Sequence, residues 1–207
     1  MDMVRTQKEQ KTVNYYDQQA RQWASEHGGQ EERSYWEKQM FQFKELLPNG
    51  KIIEIGSGAG KDAKVLIAMG YEYTGTDASI GLIEVAQAKN PNTIFMNQAV
   101  EDLNFPAGIF DGFWTAATLL HIPKDQIDNV LQKIKSICKK DAIGFISLKE
   151  GQGEQEDINT GRWFAYYSAE EFIGVLERND FEVVDFEIRE ETRAGQPNWL
   201  AFFVKQQ

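Results

Sequence analysis

Lys51-Ile-Ile-Glu-Ile-Gly-Ser-Gly-Ala-Gly-Lys-Asp62 is the stretch whose reading decides the rest of the chain. A short apolar run carrying Glu54 ends in glycines at 56, 58 and 60, which lead straight into helical spacing. A buried strand that delivers its backbone to such a turn lets a ligand touch the main chain, because no side chain intervenes. A plain tight turn would look the same, so the neighbours must decide. The dinucleotide fingerprint G-x-G-x-x-G does not fit, since the third glycine falls one place early. The phosphate loop, G-x-x-x-x-G-K followed by Ser or Thr, does not fit either. Gly56 and Lys61 lack its spacing, and Asp62 stands where a hydroxyl is needed. A nicotinamide oxidoreductase is therefore disfavoured.

Beyond the turn, Val65, Leu66, Ala68 and Met69 mark a helix that Gly70 ends. Residues 71–76 form a second strand closing on Asp77, about 20 residues past the first glycine, the separation of a ribose-binding carboxylate after one βαβ unit. Asp77 could instead cap the next helix, but Ser79 is placed to do that. That helix runs from Ile80 to Asn90-Pro91. A third strand follows at 93–96, a mixed loop at 97–105, and a fourth strand at 110–116 apolar enough to be buried on both faces. After Pro123, apolar residues at 127, 130, 131, 134, 137 and 138 trace one helical face, which makes Cys138 core rather than nucleophile. A fifth strand spans 142–148. Alternating strands and helices to this point imply a parallel sheet with right-handed crossovers.

Residues 149–167 break the alternation as a polar, glycine-bearing and then strongly aromatic insertion, on the side of the sheet where open α/β folds bind ligands. Ser168 and Glu171 make a capping box for a helix through Leu176, and strands at 181–188 and 199–204 close the chain as an antiparallel hairpin. Residues 1–50 read as two helices. Asn14 caps the first, which Gly28-Gly29 ends; Ser34 with Glu37 caps the second. Their aromatics either cover a sheet edge or form a lid over a substrate.

A chain of 207 residues suits one α/β domain, 1–207. A net charge of −10 and no basic run argue against a nucleic-acid partner. The polar first residues and the absence of a long apolar window point to a cytoplasmic protein without a membrane partner, a monomer or homodimer. One cysteine allows no internal disulfide and no cysteine-rich zinc site, so no metal is expected.

The motifs together resemble the class I S-adenosylmethionine-dependent methyltransferases over almost the whole chain. The likeness rests on Glu54, Gly56, Gly58 and Gly60 after the first strand, Asp77 after the second, Val100 to Leu103 in the loop, and Phe110-Asp111 opening the fourth strand. It implies a three-layer αβα fold with strand order 3-2-1-4-5-7-6 and S-adenosylmethionine as cofactor. It places the amino-acid end of that cofactor on Gly56, Ser57, Gly58 and Gly60, with Glu54 orienting the loop and the ammonium group. Asp77 would take the ribose hydroxyls, Ala78, Val100 and Glu101 would bound the adenine, and Ala116 would lie alongside. Ala99 departs from the family, which often has Asp or Asn there to hold the adenine amino group.

The methyl acceptor is read as a small molecule, with candidate contacts at Tyr16, His121, Lys149, Arg162 and Tyr166. His121 is the candidate general base, or else it binds a backbone carbonyl. Arg162 amid aromatics suggests a carboxylate beside an apolar body, or a packed flap. A tRNA-modifying methyltransferase and a non-catalytic S-adenosylmethionine-binding protein are the alternatives.

Overall fold

The computed structural model describes residues 6–26, 35–191 and 193–207. His27, the Gly28-Gly29 helix stop and the Ser34 cap lie outside the described residues. The strands are β1 (Lys51–Ile55), β2 (Glu72–Asp77), β3 (Ile94–Asn97), β4 (Phe110–Ala116), β5 (Cys138–Lys149), β6 (Glu154–Glu156), β7 (Trp163–Ala165), β8 (Phe181–Arg189) and β9 (Trp199–Gln206). Seven of them form one sheet in the order β3-β2-β1-β4-β5-β9-β8, parallel from β1 to β5 and antiparallel at β9. The other two, β6 and β7, pair as a separate hairpin. Counting the main sheet alone, the order is the expected 3-2-1-4-5-7-6.

The helices are α1 (Gln7–Glu26), α2 (Glu37–Leu46), α3 (Lys61–Ala68), α4 (Ile80–Lys89), α5 (Ile127–Ile137) and α6 (Ala169–Arg178). Successive strand residues point to opposite faces, and both faces of the central strands are apolar. Ile52, Trp114, Phe145 and Phe203 pack with Met40 and Phe43 of α2 and Leu66 of α3. Ile53, Phe113, Ile146 and Phe202 pack instead with Leu131 of α5 and Phe172 of α6. Two helical layers around one sheet result, and the loops that line the cavity described below emerge at the carboxyl ends of β1, β2, β3 and β4.

Several local expectations are corrected. α1 starts two turns before Asn14, because Thr6 and Glu9 form a capping box: the Thr6 N–H donates to Glu9 Oε2 at 2.6 Å and the Glu9 N–H to Thr6 Oγ1 at 3.3 Å. Asn14 is mid-helix and accepts from Gln10 at 2.8 Å. Cys138 opens β5 rather than closing α5; the left-handed Asp141 (φ 64°) and a register shift between Phe110 and Gly112 absorb the extra residues. Its thiol is buried, which pushes its pKa up to about 12 and keeps it protonated. Between β3 and β4 the crossover is one 3-10 turn at Val100–Asp102. The two N-terminal helices also part company. α2 belongs to the core, whereas α1 crosses to α4 and β7: Asp17 Oδ1 accepts from Ser79 Oγ at 2.6 Å, and Thr12 Oγ1 accepts the Trp163 N–H at 2.9 Å.

Candidate functional site

A cavity of about 250 Å³ lies beneath α1 at the carboxyl ends of β1, β2 and β4. Its floor is the glycine turn. The N–H groups of Gly56 and Ser57 both donate to the Thr76 carbonyl at 2.8 Å, so β2 holds the turn against β1. Gly56 has φ 75°, and a Cβ there would stand 2.0 Å from Thr118 Oγ1, so only glycine fits. At Gly58 (φ 53°) a Cβ would meet nothing within 4 Å, and this backbone lines the cavity. Gly60 serves packing instead: its missing Cβ makes room for Ala86 of α4 and for Asn90, which caps that helix. Ser57 is buried behind the turn, and its Oγ finds no partner among the described residues.

Asp77 projects from the end of β2 into the cavity. Its Oδ2 accepts the Gly58 N–H and its Oδ1 the Ser79 N–H, each at 2.8 Å, which fixes the carboxylate plane. Burial raises its pKa to about 6 although both N–H bonds favour the charged form. Ala78, Val100, Glu101 and Ala116 also line the cavity, as do Gln98 and Ala99. Glu54 does not. It lies buried beneath the turn, where its carboxylate accepts the Tyr73 O–H beside Asp62, and Asp62 accepts the Trp114 Nε1–H at 3.1 Å. Burial, and then the charge of Asp62, hold Glu54 well above the ordinary carboxylate range.

The opposite wall comes from α1 and from the turn after β4. His121 and Tyr16 both line it. The His121 Nδ1 is 2.6 Å from the Trp163 carbonyl, and its Nε2 is 3.0 Å from the Tyr16 hydroxyl. Burial, helped by the Arg162 charge, pushes the imidazole pKa down to about 4, so the ring is neutral. The carbonyl bond of one reading and the cavity-facing position that the other requires coexist in one geometry.

Three expected acceptor contacts lie elsewhere. The Lys149 Nζ donates to the Pro197 carbonyl at 3.2 Å and sits 3.8 Å above the Trp199 ring, near Glu191. The Arg162 guanidinium donates to the Tyr16 hydroxyl at 3.0 Å and to Thr160 at 3.2 Å, enclosed by Tyr15, Tyr16, Trp23 and Phe164. It is spent on α1 rather than aimed at a carboxylate. Tyr166 stacks on Phe164 outside the cavity.

Sequence reading missed Glu9, Thr12, Val13 and Trp23, which line the cavity from α1 with Tyr16. For Glu9, Thr12 and Val13 the helical spacing was legible, but starting the helix at Asn14 cut it, while Trp23 was read on the helix without a site role. Thr118 had no local signal, because its role is to pack against Gly56, far away in sequence.

Residues 52–141 match the family model described as "Methyltransferase domain". No curated protein matches by sequence. Among solved structures, the Burkholderia thailandensis 1,6-didemethyltoxoflavin-N1-methyltransferase, bound to 1,6-didemethyltoxoflavin and S-adenosylhomocysteine, superposes with TM-score 0.78 at 19% identity, covering 100% of this chain and 93% of that one. Magnesium protoporphyrin IX methyltransferase from Synechocystis PCC 6803, with bound SAM, gives 0.74 at 14% identity over 99% of this chain and 100% of that one. The 4+2 cyclase SpnF gives 0.75 at 17% identity over 99% and 97%. At these identities the likeness is one of fold.

Proposed function

We propose that this class I S-adenosylmethionine-dependent methyltransferase moves its methyl group onto a compact, largely apolar small molecule seated beneath α1. The methyltransferase-domain match over residues 52–141 and the shared fold support that class. The observation that carries the acceptor reading is the lining of the cavity. Gly58, Asp77 and Glu101 come from the strand-end loops, Val13 and Tyr16 from α1, and His121 and Ile122 from the turn after β4; among the described residues no Lys or Arg lines it. Three carboxylates, Glu9, Asp77 and Glu101, border it, which suits a cationic sulfonium and repels an anionic acceptor.

The residues fit the cofactor. Gly58 leaves its backbone open to the cavity, and Asp77 offers a carboxylate held in place for two ribose hydroxyls. S-adenosylmethionine supplies an electrophilic methyl whose bonding pair stays with sulfur. The protein's part is chiefly to position the acceptor, since near-attack geometry alone contributes many orders of magnitude.

Calorimetry with S-adenosylmethionine and S-adenosylhomocysteine, with NAD as control, tests this reading. Both sulfur ligands should bind and NAD should not; a folded protein that binds neither would sink the reading. Affinity should also fall as pH drops through about 6, because Asp77 must be ionised to accept the ribose hydroxyls. Ligand hydrogen bonds favour the carboxylate, so binding should strengthen from pH 5 upward and level off above about 7. Asp77→Asn should flatten that limb and bind more weakly throughout.

A second reading, a protein that holds the same cofactor for other chemistry, draws on the cyclase sharing this fold over nearly its full length. Binding without any release of S-adenosylhomocysteine across an acceptor screen would favour it. The charge of −10 weighs against a tRNA substrate; a gel shift with bulk tRNA at low salt checks that.

A further inference from the structure

Four groups from three separate segments meet at the acceptor end of the cavity, and the chemistry of each forces the next. The Trp163 carbonyl can only accept, so the His121 Nδ1 carries the ring proton. The ring is neutral, so Nε2 is bare, and the Tyr16 hydroxyl must donate to it. Arg162 can only donate, so its N–H group occupies one lone pair of the Tyr16 oxygen. One lone pair remains on that oxygen, on a residue that lines the cavity.

We propose that Tyr16 is the group that takes the acceptor's proton, with His121 behind it as the final base, so that this site methylates an atom that carries a hydrogen, an N–H or O–H. The inference rests on the methyltransferase reading above. As the acceptor atom X bonds the incoming methyl, its X–H bond breaks and the bonding pair stays on X. The proton passes to the Tyr16 oxygen, while the hydroxyl's own proton moves to His121 Nε2, leaving an imidazolium and a neutral phenol. Arg162 is a positioning residue: it holds the Tyr16 oxygen in line and is itself enclosed by four rings.

Tyr16 comes from α1, His121 from the turn after β4, and Arg162 and Trp163 from the insertion. The relay therefore exists only with α1 seated, by Asp17 on Ser79 and Thr12 on Trp163. Seating the helix both closes the cavity and completes the base.

Nitrogen NMR of the imidazoles tests this without a known acceptor. The chain has two histidines, and His121→Gln assigns them. His121 should be the neutral Nδ1–H tautomer, and its Nε2 resonance should move in Tyr16→Phe, which keeps the ring and loses the O–H. An Nε2–H tautomer, or no response to Tyr16→Phe, would overturn the relay. For catalysis the probes are 2-naphthol, which must lose a proton, and quinoline, whose nitrogen has none. Naphthol methylation should fall about 100-fold or more in kcat in Tyr16→Phe, with S-adenosylhomocysteine still bound. Unchanged kcat, or quinoline turned over in preference, would refute the proposal. With neither probe turned over, the tautomer and its response to Tyr16→Phe decide. Failure of S-adenosylhomocysteine to bind would instead strike the methyltransferase reading, while the tautomer in the free protein would still report on the relay.

Discussion

Gly56→Ala is expected to weaken binding of S-adenosylmethionine and S-adenosylhomocysteine by about 100-fold or more, some 2.7 kcal/mol or above. Two costs combine. The backbone at φ 75° is left-handed, which charges any residue with a Cβ roughly 1–2 kcal/mol. The new Cβ would also lie 2.0 Å from Thr118 Oγ1 and 2.7 Å from Thr118 Cβ. Rotating the threonine moves its Oγ1 but not its Cβ, so the relief must come from the backbone. Either the glycine turn shifts, or the segment carrying Ala116, Thr118 and His121 does, and both line the cavity. Adding Thr118→Gly removes the collision but leaves the left-handed strain, so the double variant should recover much of the affinity. Calorimetry on the three proteins reads this directly. Parent-like affinity in Gly56→Ala would mean that the turn is not where the ligand meets the main chain.

Trp114→Ala should cost about 3–5 kcal/mol of stability, a large share of the roughly 5–15 kcal/mol that holds a domain together. Trp114 is fully buried in the central strand, stacked on Phe145 at 4.0 Å and edge-on to Phe43 of α2. Truncation opens a cavity between the sheet and α2 and removes the donor to the buried Asp62. Trp114→Phe narrows the loss, because it keeps one six-membered ring in the layer while removing the Nε1–H and the remainder of the indole; it should cost less than Trp114→Ala, about 1–3 kcal/mol. Guanidinium denaturation with a constant slope would measure both. A loss under about 1 kcal/mol in Trp114→Ala would mean that the layer between β4 and α2 is not well packed.

The cavity floor at Gly56, Gly58 and Asp77 was legible because it is local. Lys51 to Asp77 is one βαβ unit, with residue types at fixed spacing: glycines at the turn and an acid where the strand ends. The capping serines at 79 and 168 were legible for the same reason, and both accept the expected backbone N–H at 3.1 Å. The acceptor end was not. Lys149, Arg162 and Tyr166 lie in the aromatic insertion or beside it, and their types invite substrate roles. What a long side chain touches depends on what packs across from it. Arg162 turned to Tyr16, 146 residues away, and Lys149 to Pro197, 48 residues away.

The sequence by itself determined the seven-stranded sheet, its order through the family likeness, the glycine turn and the acid beyond it. The order rests on that likeness, while the strands, the turn and the acid follow from periodicity and from residue types at fixed spacing. The tertiary structure alone decided that α1 and α2 separate, that Glu54 lies beneath the turn rather than in the cavity, and that Tyr16 meets His121. Those contacts join different elements, from 19 residues apart at Glu54 and Tyr73 to 151 at Thr12 and Trp163, where packing free energy and not local propensity selects the partner.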